Sequence, residues 1–592
     1  MFTIRFYTQQ FRPNHSITIS GSAFNNWGIH VPGLYQEGAW IFTFEKDNYP
    51  NQIEFKFRLD CQYWQEGANN NVIIPFDGAV FDYTEANVNF PATTEIFVEN
   101  SRLQRHFLQP NLDESEQYDV IVIGSGMGGG IVAEQLADFG KKVLVLEAGS
   151  YLFPTHVGNL PRRHISGKFD KHLWQLWPDF QTKNFKNPEA HVYQGAAGFN
   201  LGGRSVFWGA LIPRPAWWEL EPWPDEIRYQ LEDVYFDKAE NLMKLSRLES
   251  SYQSKAKTWF NQEFPNWHVT TAPMAVQRGD GEARTLSAGV FNTASLLMEA
   301  AMTDDTDLTI NLNHAVNQLL VDEDKITGVR AYDLIARQNR TYQADKVILA
   351  AGSIESSKIV QLSGLQTESN KVGKGFTDHP IFFTHFAIPV SHPLYDRQAS
   401  SKITARMTVT DDDTAHRFLI VIELGADFNQ GRYIDPEFAE KHTQDRNDEM
   451  LCEIVFLCES PLVEENEVTQ NGPDYEDVDI TMQASQSANN LIDEMTQIKN
   501  EVLNKLNATV LENDNHFLNL APLGGVAHEV GTLRLGENAQ GVVDTQLKFD
   551  QYENLYCCDL SVFPNSLAAN PSLTLAALAL RLADTLREDM PP

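Results

Sequence analysis

The segment Tyr118 to Gly149, YDVIVIGSGMGGGIVAEQLADFGKKVLVLEAG, constrains the fold of this chain more than any other. A β-branched run from Val120 to Ile123 ends in Gly124-Ser-Gly126-Met-Gly-Gly129; an apolar, helix-like segment follows, then Val143 to Leu146 and Glu147. Strand, glycines, helix, second strand and acid in this order predict a βαβ element shaped for a dinucleotide. Gly124 permits the tight turn, Gly126 lets backbone approach a pyrophosphate, and Gly129 allows helix and strand to pack closely. The phosphates would then meet free N–H groups at a helix N-terminus. Glu147 stands at the spacing of a carboxylate that hydrogen-bonds ribose hydroxyls.

Which dinucleotide is bound depends on the rest of the chain. With 592 residues, two or three domains are expected, and 42% apolar with 21% charged residues is an ordinary globular composition. A formal charge of -34 argues against nucleic acid and anionic membrane partners, which such a surface repels. No apolar run approaches the length of a bilayer span, and MFTIRFYTQQ lacks signal-peptide architecture. Cys61, Cys452, Cys458, Cys557 and Cys558 are too few and too irregular for a disulfide framework or a zinc site, so no metal and a reduced, cytoplasmic setting are expected.

Residues 1–110 read as short strands between turns, Ile17 to Ile19, Trp40 to Phe44, Ile53 to Phe57 and Val72 to Ile74, an all-β sandwich pattern. The polar stretch Arg105 to Gln117 reads as a linker. Beyond it strands and helices mix. The expected division is an α/β Rossmann-like cofactor domain from 118–380 and 521–592, with 381–520 as a mixed α+β substrate domain. Within the latter, strands are expected at Phe418 to Glu423 and Glu453 to Leu457, and a helix from Ala488 to Leu506.

Four further segments carry chemistry. Asn200-Leu-Gly-Gly203-Arg-Ser205-Val-Phe-Trp208 places adjacent glycines before a small hydroxyl residue, as suits backbone approaching a flat ligand. Lys346 to Glu355 reads as a buried parallel strand ending in small residues, and Val372 to Pro380 follows it. Near the C-terminus stand His528-Glu-Val-Gly531-Thr532, Asp559, and Asn570-Pro571-Ser-Leu-Thr574. Asn570 is suited to cap, and Pro571 to begin, the helix SLTLAALALRLADTL. The positive end of that helix would stabilise negative charge developing on whatever lies before Asn570.

These segments, in this order, resemble the glucose-methanol-choline (GMC) family of FAD-dependent oxidoreductases from Tyr118 to the C-terminus. The resemblance implies FAD with Gly124, Gly126 and Gly129 at the pyrophosphate and Glu147 at the adenosine ribose. Gly202, Gly203 and Ser205 match the second glycine motif near the flavin. Val316 matches the position whose backbone meets the adenine, Asp559 the acid near the ribityl chain, and Pro571 the start of the flavin-facing helix. His528 and Asn570 match the catalytic pair. An alcohol gives hydride to flavin N5 as its hydroxyl proton leaves, so His528 would take that proton while Asn570 holds the same oxygen. His379 and His191 have no such context and are assigned no role.

Two positions qualify the transfer. Arg204 stands where the family more often has a small residue; its guanidinium either lies near the flavin, reaches an acidic substrate group, or turns outward into an ion pair. Arg204 to Trp208 contains no histidine to link covalently to flavin, so FAD is expected to be noncovalent. The amino-terminal region in turn resembles a starch-binding β-sandwich module in Phe24-Asn-Asn-Trp27, Trp40 and Tyr63-Trp64-Gln-Glu66-Gly-Ala-Asn69-Asn70. That implies Trp64 stacking on sugar rings and Asn69 or Asn70 bonding hydroxyls, with Trp27 and Trp40 in the core. The activity implied is oxidation of a small alcohol, sugar or other polyol, with oxygen or a quinone as electron acceptor. Alternatives are a nonredox flavoprotein lyase on the same fold, and a glycan-binding protein with a vestigial flavin domain.

Overall fold

The computed structural model describes residues 1–592 except 9–10, 12–15, 37, 60–62, 91–107, 109, 111, 152–154, 156–181, 185–192, 194, 247–248, 278–288, 304–305, 408–415, 426–448, 471–477, 512–517, 526, 537–539 and 591–592. Cys61, His191 and the Arg105–Phe107 part of the expected linker lie outside the described residues. The chain divides into two units, Met1–Phe107 and Leu108–Pro592.

In the larger unit, β1 (Gln117–Ile123) is buried on both faces, Val120, Ile121 and Val122 being fully inaccessible. Such continuous apolar runs mark the centre of a parallel sheet. β1 pairs in parallel with β2 (Val143–Leu146) on one side and with the second half of β6 (Gln338–Leu349) on the other. β2 continues in parallel to β3 (Leu308–Asn311). β4 (His314–Asp322), β5 (Lys325–Asp333) and the first half of β6 form an antiparallel meander. β7 (Leu555–Cys557) then flanks β6 in parallel, so the sheet order is β3-β2-β1-β6-β5-β4 with β7 beside β6.

The glycines explain the helix that joins β1 to β2. A Cβ on Gly129 of α1 (Met127–Asp138) would lie 2.1 Å from the Gly124 carbonyl, and one on Gly128 would lie 1.9 Å from that of Cys558. Their absence lets α1 press onto the sheet and onto α4 (Ser572–Asp589), while α2 (Thr293–Ala301) packs on its other side. α4 is buried nearly all round, Leu573, Ala576, Ala577, Leu578 and Leu582 being inaccessible, which fits a central helix. α3 (Gly352–Leu362) follows β6 directly.

A second, antiparallel sheet runs in the order Trp267–Thr271, Ser401–Met407, Phe418–Leu424, Glu449–Cys458, Ile381–Pro389, Thr509–Val510. Side-chain alternation gives it two apolar faces. Phe386, Ile420, Ile422 and Phe456 pack beneath helices Ser251–Glu263 and Ile492–Lys505. Ile381, Phe383, Val421 and Val455 face the other way, onto Leu211, Ala521 and Ala568. Each such buried side chain contributes about 1.5 to 3 kcal/mol. The latter face therefore meets Ala568, two residues before Asn570, and His379 stands two residues before the strand Ile381–Pro389. The expected helix begins later than Ala488, as a short 3₁₀ turn at Asn489–Leu491 followed by Ile492–Lys505.

The smaller unit has two sheets around one aromatic core. One runs Leu34–Gln36, Ala39–Phe44, Phe2–Tyr7, Ala79–Thr84; the other runs Val31–Pro32, Ile17–Gly21, Gln52–Leu59, Tyr63–Trp64, with Asn70–Ile73 also on Gln52–Leu59. Phe6, Phe42, Phe55 and Phe57 are fully buried between them, and Trp40 is buried with them. Trp27 does not join this core. Its φ of 72° puts it on a turn, and its ring meets the Trp64 ring edge-on at 6.0 Å, with Trp64 itself exposed. No helix among the described residues is long and apolar enough to cross a membrane.

Candidate active site

The turn after β1 is shaped by backbone rather than side chains. Gly124 has φ of 98°, and a Cβ there would lie 2.4 Å from the Ala350 carbonyl, so only glycine fits. Gly126 precedes α1 with no side-chain cap and with open space where a Cβ would project. The first intrahelical bond runs from the Gly130 N–H to the Gly126 carbonyl, which leaves the N–H groups of Met127, Gly128 and Gly129 ahead of it. An uncapped helix start beside an open glycine fits a pyrophosphate.

Three loops converge on this turn. Glu147 ends β2, with Oε2 accepting from the Ser125 N–H at 3.0 Å and the Ser125 hydroxyl at 2.6 Å, and Oε1 accepting from the Gly149 N–H at 2.8 Å. Burial raises its pKa, and those same bonds oppose the rise. The Gly202 N–H donates to the Ser125 hydroxyl at 2.9 Å, so the second glycine motif docks on the first. A Cβ on Gly203 would stand 3.1 Å from the Gly126 Cα. The Ser205 hydroxyl is taken up inside this seam, donating to the Gly202 carbonyl at 2.6 Å and accepting from the Thr293 N–H at 3.0 Å. Asp559 joins β7 to α3, accepting from the Gly352 N–H at 2.9 Å, the Ser356 hydroxyl at 2.5 Å and the Ser561 N–H at 2.8 Å. Val316 lies in β4, whose first residue donates its N–H to the Glu147 carbonyl at 2.9 Å, so that strand starts beside Glu147. Ser125 and Thr293 were not singled out by sequence, because a lone hydroxyl residue carries no pattern.

Beside the start of α3, whose Ser353 hydroxyl donates to the Glu529 carbonyl at 2.6 Å, His379 Nε2 lies 2.9 Å from His528 Nδ1, and His379 Nδ1 lies 2.6 Å from the Leu567 carbonyl oxygen. A carbonyl only accepts, so Nδ1 of His379 carries the proton. In neutral His379 the Nε2 lone pair then accepts from His528 Nδ1–H, which leaves Nε2 of His528 basic. Asp378 completes the cluster: one of its oxygens and the ring nitrogens of both histidines lie within 4.8 Å of one another. Burial, then the Glu529 charge, push the Asp378 carboxyl up to about 8, against hydrogen bonds from the Gly524 and His379 N–H groups.

Asn570 departs from the expected cap. α4 starts at Ser572 with Pro571 as its flanking residue, and the first helical bond closes from the Leu575 N–H to the Pro571 carbonyl. Pro571, at φ -78° and ψ -10°, already adopts helical backbone, yet the helical bonds begin one residue later than expected and the Asn570 side chain caps nothing. Its Oδ1 is instead buried with no hydrogen-bond partner. A buried, unsatisfied amide oxygen is rare and fits a polar ligand atom.

Arg204 turns inward. Its guanidinium Nη1 donates to the Glu529 carboxylate at 2.6 Å and to the Ala527 carbonyl at 2.9 Å, and the Tyr193 hydroxyl donates to the other oxygen of Glu529 at 2.7 Å. Burial works against the Arg204 charge, yet Glu529 and Tyr193 outweigh it and its pKa is raised. Among the residues expected to meet sugar in the smaller unit, Asn69 donates to Glu54 at 2.8 Å, while Trp64 meets Trp27 and His30 edge-on and lies beneath Arg58.

Two family models described as GMC oxidoreductase match residues 118–381 and 469–579. The chain is 25% identical to a glucose dehydrogenase [FAD, quinone] of Drosophila pseudoobscura pseudoobscura over 46% of its own length and 49% of that protein's, so it spans about half of that relative. It is 23% identical to the paromamine 6'-oxidase of Streptomyces fradiae over 81% of its length and 93% of that protein's. To the fructose dehydrogenase large subunit of Gluconobacter japonicus it is 20% identical, over 81% and 99%. A solved formate oxidase of Aspergillus oryzae shares the fold, with a TM-score of 0.61 at 16% identity, covering 81% of this chain and 99% of that one. With both family models matched in chain order around this glycine cradle and histidine pair, the chain belongs to the GMC oxidoreductases.

Proposed function

We propose that this protein oxidises the CH–OH group of a small alcohol, sugar or polyol with noncovalent FAD. The observation that carries the reading is the chain from the Leu567 carbonyl through His379 to His528, together with the unsatisfied oxygen of Asn570, three residues after Leu567. FAD held in this cradle would supply the acceptor for the hydride. His528 Nε2 removes the hydroxyl proton, held in its basic tautomer by His379. Asn570 holds the substrate oxygen and thereby the angle of the reacting carbon. Gly124, Gly126, Gly129, Gly202 and Gly203 line the cofactor cradle, with Glu147 and Asp559 tying its loops together. Residues 118–380 and 521–592 are assigned to cofactor binding and 381–520 mainly to substrate.

A sugar or polyol is favoured by the relatives, among them glucose and fructose dehydrogenases and paromamine 6'-oxidase. The exposed Trp64, with Trp27 against it, supports glycan binding by the starch-binding-like module. Among the described residues, four buried cysteines outside any disulfide support a reducing, cytoplasmic setting. The test is anaerobic mixing with D-glucose, D-fructose, choline and 1-decanol. Loss of the oxidised-flavin absorbance is expected with at least one of them, and reoxidation by oxygen against a soluble quinone then identifies the acceptor. Flavin that stays oxidised throughout would favour a nonredox lyase, and a colourless protein a vestigial domain.

A further inference from the structure

We propose that Arg204 is a positioning residue for His528, gripping that histidine through both of its chain neighbours. This rests on the assignment of His528 as the base. The guanidinium Nη1 bonds the carbonyl of Ala527 and the carboxylate of Glu529, the residues on either side of His528. Ala527 needs holding: its φ of 62° lies in the left-handed region, which costs energy for any residue with a Cβ. Arg204 itself sits in the 3₁₀ turn Gly203–Val206, whose first glycine packs against Gly126. The grip therefore ties the loop that carries the base to the cofactor cradle, across 323 and 325 positions of sequence.

The pair also neutralises charge next to the base. Glu529 is 3% exposed, and with its partner removed its carboxylate would stand without a counter-charge on the residue next to His528. Among the described residues, Asp378 and His379, before the strand Ile381–Pro389, cluster with His528, and Tyr193 keeps Glu529 in place through its own hydrogen bond. A lone carboxylate favours imidazolium, so a base that works as neutral imidazole needs higher pH to do so.

The test is anaerobic stopped-flow reduction of FAD-loaded wild type, Arg204→Lys, Arg204→Gln, Arg204→Gln/Glu529→Gln and His528→Ala from pH 5.5 to 9.5. The reductant is whichever of D-glucose, D-fructose, choline and 1-decanol reduces wild type fastest. Arg204→Gln is expected to slow reduction roughly 10-fold at neutral pH and to move the midpoint of the pH profile up by about one. The double variant returns the midpoint to the wild-type value but stays slow, because the charge is balanced and the grip is still missing. Arg204→Lys keeps the wild-type midpoint. A wild-type rate and midpoint in Arg204→Gln, or an upward shift that persists in the double variant, would overturn the proposal. If Arg204→Gln fails to hold FAD, the double variant decides, and a wild-type rate there overturns it. Fast reduction by His528→Ala would instead remove the base assignment, whatever the Arg204 variants do.

Discussion

His379 and His528, 149 positions apart, meet through ring nitrogens 2.9 Å from each other, and the Leu567 carbonyl fixes which nitrogen of the pair carries which proton. The pair ties the segment before the second sheet to the two segments that carry His528 and Asn570. Replacing His379 with Ala frees the His528 ring to take the other tautomer and to rotate. Flavin reduction should slow by about 10- to 100-fold while FAD content stays at the wild-type level. Stopped-flow reduction alongside the FAD-to-protein absorbance ratio checks this, and an unchanged rate would separate His379 from the chemistry.

Glu147 holds both its oxygens toward backbone and hydroxyl donors of Ser125 and Gly149. In Glu147→Gln one oxygen becomes an NH2 group that faces a donor. Looser FAD by about 1.5 to 3 kcal/mol is expected from the lost charge-assisted bonds. Equilibrium titration of apoprotein with FAD measures it, and equal affinity would show that the turn does not depend on this acid.

Asp378 makes stability depend on pH. Its folded pKa, about 8, lies above the ordinary carboxylate value because burial and the Glu529 charge disfavour ionisation. The folded state therefore holds a proton that the unfolded chain has lost, so the stabilising contribution is complete below about pH 4 and is lost as pH rises toward 8. Melting temperatures of wild type and Asp378→Asn should diverge as pH rises from about 4 to 8, with wild type falling more. Parallel curves would contradict a buried neutral carboxyl.

Asn570→Ala separates a ligand role from a capping role. Since the side chain caps nothing, thermal stability should change by less than about 0.5 kcal/mol, whereas loss of a true cap costs about 1 kcal/mol. Reduction should slow at every pH, because an amide does not titrate. A large drop in melting temperature with normal reduction would reverse the assignment.

The βαβ element was legible because its glycines, strands and acid are contiguous and each answers to a local steric demand. β1 runs from Gln117 to Ile123 and β2 from Val143 to Leu146, close to the expected runs. The site was legible only where a residue sits inside a motif, as His528, Asn570 and Arg204 do. His379 stood in an identified segment, yet its role depends on a contact across 149 positions and on a carbonyl of a third segment, and no local pattern encodes either. Arg204 left three destinations open for the same reason, until Glu529 and Ala527 were seen to converge on it. Trp27 misled because an aromatic residue in a sandwich usually packs inward; its positive φ turns the ring toward Trp64. The start of α4 was misplaced by one residue, since Asn-Pro is a fitting pair at either register.

The central claim is that His528 takes the substrate proton, and anaerobic reduction of His528→Ala across pH tests it most directly. Expected are bound FAD, reduction slower than wild type by a factor on the order of 10² to 10⁴, and partial recovery at high pH, where hydroxide or alkoxide replaces the missing base. Reduction near the wild-type rate at neutral pH, with FAD bound, would contradict it.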